Sequence, residues 1–346
     1  KVTGLLPSEE PGDVQVAKQL AAIRLLATEV GKGSLDAYVK DLAQLGAMFS
    51  QWTGPEGAFA FAKGVASQDS RNALVHAWNE AASRKETLPA ELRPWFDAFT
   101  IGMLRQIAGR TMPQASGQAN AAYKEKVWQP WQNLTKGAYP FDPYADNEAS
   151  IADIDGFLNP RSGSLALFLK EMEGLLTIQG DDIKSTGANG IGLAIDPAAA
   201  EQLRKLMKMA NYFYGKGGTA WKGVGASVTF RGDPKARIML RIGTQSVEIP
   251  QGGEKRLAFK WPLPSQAGAS ITVSTINQTF EEKKDGEWAL LRFMESKAAG
   301  TTEATWSFND RSYIVDVPIS VKLDQPNGPF VDREFFHVSL VPDPFR

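Results

Sequence analysis

"LRKLMKMANYFYGKGGTAWKGVGASVTFRGDPKARIMLRI", residues 203–242, changes its apolar period partway along. Leu203, Leu206, Met207, Ala210 and Phe213 recur at spacings of three and four, the stripe of a helix that buries one face. Ile238, Leu240 and Ile242 then alternate with Arg237, Met239 and Arg241, the period of a strand with one face buried. The switch falls between Gly215 and Trp221, and it divides the chain into a helical part and a strand-rich part.

Upstream of the switch the helical period returns repeatedly. Val16, Leu20, Ile23, Ala27 and Val30 form one stripe, with Asp13 placed to cap the helix and Gly31 to end it. Leu92, Phe96, Phe99, Met103 and Ile107 form another, which the spacing predicts to close at Gly109, and Asp196-Pro197 opens the helix quoted above. The pattern predicts eight or nine helices up to Gly215. Downstream, Thr302, Ala304, Trp306 and Phe308 share one face, as do Tyr313, Val315, Val317, Ile319 and Val321, and Phe336, Val338 and Leu340 close the series. Pro318, on the opposite face of its strand, predicts a sheet edge or a bulge, because proline cannot donate to a ladder. The turn signals "RGDPK", "PQGGEK", "KKDGEW" and "FNDRS" separate the strands without helix-length crossovers, and one short helix, "GEWALLRFMESK", interrupts them.

The expected fold is therefore α+β, an N-terminal all-helical region followed by a C-terminal antiparallel β-sandwich domain. The expected division is a helical domain over 1–137, a linker segment and further helices packing on that domain over 138–219, and the sandwich over 220–346.

Composition narrows the function classes. The chain has 346 residues, 43% of them hydrophobic, enough for a large core, and 38 basic residues against 39 acidic ones. From Trp221 onward there are 16 basic and 15 acidic residues, so neither part has the basic bias of a nucleic-acid binder. The absence of cysteine removes disulfides, thiolate metal sites and cysteine nucleophiles together, and suits an oxidising compartment. No stretch approaches the roughly 18 apolar residues of a membrane span. The sequence opens on Lys1 without a signal-peptide pattern, and the expectation is a fragment whose anchor and address lie outside it.

Constellations for chemistry are incomplete. A phosphate loop fails at Gly31-Lys32, where Leu26 stands in place of the first glycine, and at Gly215-Lys216, where Ala210 does. "GANGIG" at 187–192 has the wrong spacing for a dinucleotide fingerprint and reads as a loop. Ser227 and Ser270 have glycine two residues before them but threonine two after, so neither makes a nucleophile elbow. His76 and His337 are the only histidines, in a helical and a strand-like stretch, so a triad or a zinc site would have to use one of these alone.

One segment is rich in oxygen ligands: "AYPFDPYADNEASIADIDGFLNP", residues 138–160. A calcium loop built on Gly156 would need carboxylates at Ile151 and Ser162, so that reading fails. The structural alternative has Tyr139 and Phe141 burying their rings at a turn, Asp142-Pro143 keeping the chain extended, and Ser150 capping a helix that carries Ile151, Ile154 and Phe157, with Asp153 completing the cap.

The same segment, continued as "YPFDPYADNEASIADIDGFLNPRSGSLALFLKE", resembles a signature stretch of the IcmF/TssM family of type VI secretion, and further pieces follow in the family's order. These are "LRKLMKMANYFYGKGG", "FKWPLP" (Phe259 to Pro264), "GEWALLRFMES" (Gly286 to Ser296) and "NGPFVDREFFHVSLVP". The sequence departs from the family pattern at Asn327-Gly328-Pro329-Phe330, where Asn-Pro-Phe is usual, and at Leu263, where glycine is.

The resemblance implies the C-terminal periplasmic region of an inner-membrane-anchored protein, without enzymatic activity, metal or cofactor. It implies a scaffold that binds the outer-membrane lipoprotein TssJ through its β-domain and bridges two membranes, with further copies of itself and TssL as partners, no nucleic acid, and membrane contact only through segments outside this sequence. The alternative is a peptidoglycan- or carbohydrate-binding or -cleaving protein, for which two or more of Trp52, Trp128 and Trp131 would line an open groove. For a partner protein, the loops and edge of the sandwich are the expected contacts: Arg231, Asp233 and Lys235, Gln251, the run Lys283, Lys284 and Asp285, and Pro318.

Overall fold

The computed structural model of the chain describes residues 36–37, 39–40, 43, 47, 55–67, 79–80, 82–90, 92–179, 182–188, 191–215, 218, 223–249, 252–264, 268–297, 301–311, 313–325, 328–332 and 334–346. The helix expected from Asp13 to Gly31, with His76, Trp52 and Gln251, lies outside the described residues. Two compact units are distinguished. One holds the described residues up to Ala122 with Met172–Pro197 and Asp343–Arg346; the other holds Tyr123–Glu171 and Ala198–Pro342.

In the first unit, α1 (Pro55–Ser67) buries Ala58, Phe59, Phe61 and Ala62. Helix α2 (Arg93–Tyr123) runs straight through Gly109, where the sequence predicts an end, and through Pro113 and Gly117. A glycine inside a helix costs only about 1 kcal/mol. The buried small residues Ala115, Ser116, Ala119 and Ala122 continue an inward face past it. A second difference is strand in a part expected to be all helix: β1 (Leu176–Gln179) pairs with β2 (Asp182–Ser185), and β3 (Gly187–Ala188) with β4 (Ile191–Gly192). The two ends of "GANGIG" thus pair as two-residue strands, too short to show a period. Phe345 is buried here, its carbonyl accepting from Ser116 at 2.8 Å and Asn120 at 2.9 Å.

In the second unit a π-helical turn (Lys124–Trp128) leads into α3 (Gln129–Thr135), followed by α4 (Ile151–Leu158), α5 (Ser164–Glu171) and α6 (Pro197–Tyr214). Helix α6 begins at the predicted proline and buries Leu203, Leu206, Met209 and Phe213.

The strands follow as β5 (Val224–Arg231), β6 (Arg237–Ile242), β7 (Gln245–Ile249), β8 (Glu254–Trp261), β9 (Gly268–Ser274), β10 (Thr279–Asp285), then α7 (Ala289–Glu295), β11 (Glu303–Asp310) and β12 (Tyr313–Leu323). They form two four-stranded antiparallel sheets, ordered β10-β9-β6-β7 and β11-β12-β5-β8. The alternating residues that the sequence placed inward are inward: Ile238, Leu240 and Ile242, Trp306 and Phe308, and Val315, Val317, Ile319 and Val321 are all buried. The two sheets meet across rings such as Phe280 and Phe308, whose centroids lie 5.6 Å apart.

Pro318 needs a correction. Its strand is not a sheet edge, because β12 lies between β11 and β5. Yet β5 pairs only with Ile319–Leu323, so residues 313–318 have a partner on the β11 side alone. Val321 donates to Thr302 at 2.7 Å, which fixes the alternation: odd-numbered residues bond toward β11 and even-numbered ones toward β5. The nitrogen of Pro318 therefore faces the β5 side, and the β5–β12 pairing stops one residue short of it, at Ile319↔Phe230.

The stretch around Phe336, Val338 and Leu340 is likewise not a strand. Its backbone is bonded by side chains instead. Trp131 donates to the Val338 carbonyl at 3.2 Å, and Ser339 N–H donates to Gln202 Oε1 at 3.0 Å.

Candidate partner-binding surface

The register defines two ends of the sandwich. At one end lie the start of β5, the ends of β8 and β10, and α7; at the other lie the end of β5, the starts of β6, β8, β10 and β12, and the ends of β9 and β11.

The first end is docked onto the segment 138–158. Helix α7 is buried almost throughout, at Ala289, Leu290, Leu291, Phe293 and Met294, and Phe293 stacks on Trp306 of β11 at 4.5 Å. Its polar residues then meet the acidic segment. Arg292 lies over the Tyr139 ring at 4.0 Å, donates to the Ala145 carbonyl at 3.0 Å, and places Nε 3.4 Å from Glu148. Tyr139 donates to Glu295 at 2.6 Å, Trp288 to the Ala149 carbonyl at 2.7 Å, and Ile151 N–H to Glu287 at 2.6 Å.

Burial pushes the Glu148 carboxyl up, against the pull of Arg292 and of the backbone N–H groups of Trp288 and Glu287. Burial raises the Tyr139 hydroxyl too, reinforced by the charge of Glu295. Gly286, at φ +104°, lies so close to Glu148 that a Cβ there would stand 2.0 Å from its carboxylate.

The acids at 138–160 are thus dispersed over folding roles. Ser150 Oγ accepts from Asp153 N–H at 3.1 Å and donates to its carboxylate at 2.7 Å, the expected cap of α4. Asp155 accepts from Tyr214, and Asp142 from Tyr144 N–H at 3.1 Å. Tyr139 is fully buried; Phe141 is only half-buried, in edge contact with Trp131 at 5.0 Å and Phe336 at 5.4 Å. Among the described residues no cluster of three or more His, Asp or Glu could hold a metal ion, and no helix is long and apolar enough to cross a membrane. Trp131 is buried with its N–H bonded and Trp128 is half-buried, so these two do not line an open groove together.

Of the residues expected to meet a partner, the structure brings some together and separates others. Arg231, Asp233 and Lys235 lie at the second end. Arg231 is paired with Glu254 at 3.2 Å, Asp233 accepts from Lys235 N–H at 2.7 Å, and the Lys235 ammonium sits 5.1 Å from the Tyr313 ring centre. Lys283, Lys284 and Asp285 lie at the first end, where Lys283 pairs with Asp285 at 2.8 Å. Pro318 shares with Arg231, Glu254, Glu303, Thr305 and Ser320 an open depression of about 510 Å³ on the outer face of β11-β12-β5-β8.

The sequence reading missed the loop 275–278 at the second end. Thr275 Oγ1 accepts from Asn277 and Gln278 N–H at 3.2 and 3.1 Å and donates to the Gln278 carbonyl at 2.9 Å. Asn277 Nδ2 donates to both oxygens of the buried Asp310 at 3.1 and 3.2 Å, and Gln278 to the Asn309 carbonyl at 3.3 Å. Burial of Asp310 opposes its charge, but its hydrogen bonds, those from Asn277 and Arg311 N–H among them, outweigh that and hold the carboxyl below the ordinary range. The signal in the sequence is a lone apolar residue, Ile276, inside the polar turn "STINQT".

The fold is a two-sheet antiparallel sandwich joined to a helix-rich part. Comparisons with known proteins make it specific. Residues 113–219 match the type VI secretion protein IcmF helical domain, and residues 229–319 the type VI secretion protein IcmF C2-like domain. The two matches, from one family and together spanning more than half of the sequence, identify the chain: it belongs to the IcmF family of type VI secretion proteins.

Solved structures agree in fold. A chain of a type VI secretion system membrane core complex is similar at 19% identity and TM-score 0.70, covering 100% of this chain and 73% of that one. A type VI membrane complex chain is similar at 19% identity and TM-score 0.66, covering 90% and 62%. The C-terminal domain of the secretion protein TssM from EAEC is similar at 21% identity and TM-score 0.53, covering 67% and 99%. Comparison with curated protein sequences returns no match.

Proposed function

We propose that this chain is a non-enzymatic structural component of a type VI secretion membrane core complex. In this proposal it is the periplasmic part of a protein anchored in the inner membrane elsewhere in its sequence. Its sandwich binds the outer-membrane lipoprotein TssJ and so bridges the two membranes, with copies of itself and TssL as further partners. The observation that carries the proposal is the C2-like sandwich itself: one end is docked on the acidic segment, and the other ends in loops held by hydrogen bonds, the arrangement in which a rigid sheet positions a contact surface.

Hydrogen exchange of the whole chain, with and without the soluble, lipid-free lipoprotein, tests it. The expected result is new protection within residues 224–323. Protection confined to 93–171 would move the site to the helices.

A further inference from the structure

Among the described residues, two apolar side chains stand almost free of the protein: Tyr144, 95% exposed, and Ile276, 94% exposed. They differ in setting. Tyr144 lies on the segment 138–151, whereas Ile276 lies at the second end of the sandwich, on a loop fixed to β11 through Asp310 and Asn309. Ile314, 56% exposed, stands opposite Asn309 in the β11–β12 register, so the two isoleucines flank the same corner.

Three cations near that corner are held within the chain: Arg231 pairs with Glu254, Arg237 with Glu248, and Lys235 lies on Tyr313. Arg311, exposed at the β11–β12 turn, has no ion pair among the described residues. The corner therefore offers a partner aliphatic carbon at its centre and a cation for the rim of the contact.

We propose that Ile276, with Ile314 beside it, is the anchor by which this chain docks into an apolar pocket of a different folded protein. The proposal rests on the partner-binding function above and names its contact point. A loop already held in one conformation loses little freedom on binding, so its apolar tip delivers its contact area without an ordering cost. Asp310 is the positioning residue: it touches no partner, but its two bonds to Asn277 hold the loop that presents Ile276.

The test is calorimetry of the whole chain with the soluble, lipid-free outer-membrane lipoprotein. Wild-type chain should bind. Ile276→Asp should weaken binding at least about tenfold, Ile276→Leu should stay within about threefold, and Tyr144→Asp should leave binding unchanged. Asp310→Ala should weaken binding while the melting temperature of the rest of the chain is followed separately, and adding Ile276→Asp to it should cost less than in wild type.

Unchanged binding by Ile276→Asp overturns the anchor and leaves the partner-binding function standing. Failure of the wild-type chain to bind overturns that function, and the anchor with it. Light scattering and flotation with phosphatidylglycerol vesicles close the other routes: self-association or vesicle binding that Ile276→Asp abolishes would assign the corner to a second copy or to a membrane, and overturn the inference.

Discussion

Gly328 lies where the hydroxyl of Tyr212 leaves no room for a side chain: a Cβ there would stand 2.0 Å from the oxygen and 2.5 Å from the ring. Two residues on, Phe330 packs against Trp261, with ring centroids 5.1 Å apart. Gly328→Ala should destabilise the chain by about 1–3 kcal/mol, because the ring it displaces is packed. A Tyr212→Phe background should recover part of that loss, and chemical denaturation of both variants checks it.

Asp310 permits a second prediction at this scale. Its carboxyl is held below its ordinary value, so the stability it contributes is present above the unfolded value and is lost as pH falls through the folded one. The difference in melting temperature between wild type and Asp310→Asn should therefore be widest near pH 7 and should close below about pH 4. A gap of constant width across that range would show that the charge is not what Asn277 and Arg311 N–H stabilise.

Among elements, α7 and the segment 138–151 are held by one partly buried ion pair and its neighbours. Removing the cation leaves the Glu148 carboxylate facing a desolvated site, where its charged form is already disfavoured. Arg292→Ala should cost about 1–3 kcal/mol at pH 7, less than a fully buried pair because both side chains keep some exposure. The sign follows from a raised carboxyl: stability associated with it is complete below the unfolded value and is lost as pH rises through the folded one. The variant should thus lose more at pH 7 than at pH 4, and adding Glu148→Gln should narrow the difference. Equal losses at both pH values would mean that Arg292 acts through the Tyr139 ring and the Ala145 carbonyl alone.

The same scale shows what was legible beforehand. Alternation told truly for Ile238 to Ile242 and Trp306 to Val321, because a strand with one face in a core must alternate. The cap at Ser150 was legible because it is local. The end expected at Gly109 was not, since one helix-breaking residue is outweighed by burial further along. Nor was the place of Pro318, since which side of a ladder a proline faces depends on the register with different strands, β11 and β5. For the candidate surface, the sequence marked the turn at 231–235, but the loop at 275–278 depends on Asp310, more than 30 positions away.

At the scale of the molecule, we propose the division near residues 137 and 219 as one between helix-rich and strand-rich sequence rather than between separately folding parts. The ring contacts support this. Phe213 of α6 contacts Trp261 and Trp288 at centroid distances of 6.2 and 6.3 Å, and Tyr212 contacts Phe335 at 4.9 Å. Trp288 also donates to Ala149, and Glu287 accepts from Ile151, so the docked end of the sandwich draws its partners from residues before 219.

Cutting at 220 would expose two fully buried tryptophans on one side, each contributing about 1.5–3 kcal/mol by its burial. A domain of ordinary stability has about 5–15 kcal/mol in total. Residues 220–346 alone should therefore melt well below residues 123–346, or aggregate, and should bind a hydrophobic dye that the longer piece does not. Equal melting temperatures for the two would establish that the sandwich closes on its own, and that the rings of 123–219 only decorate it.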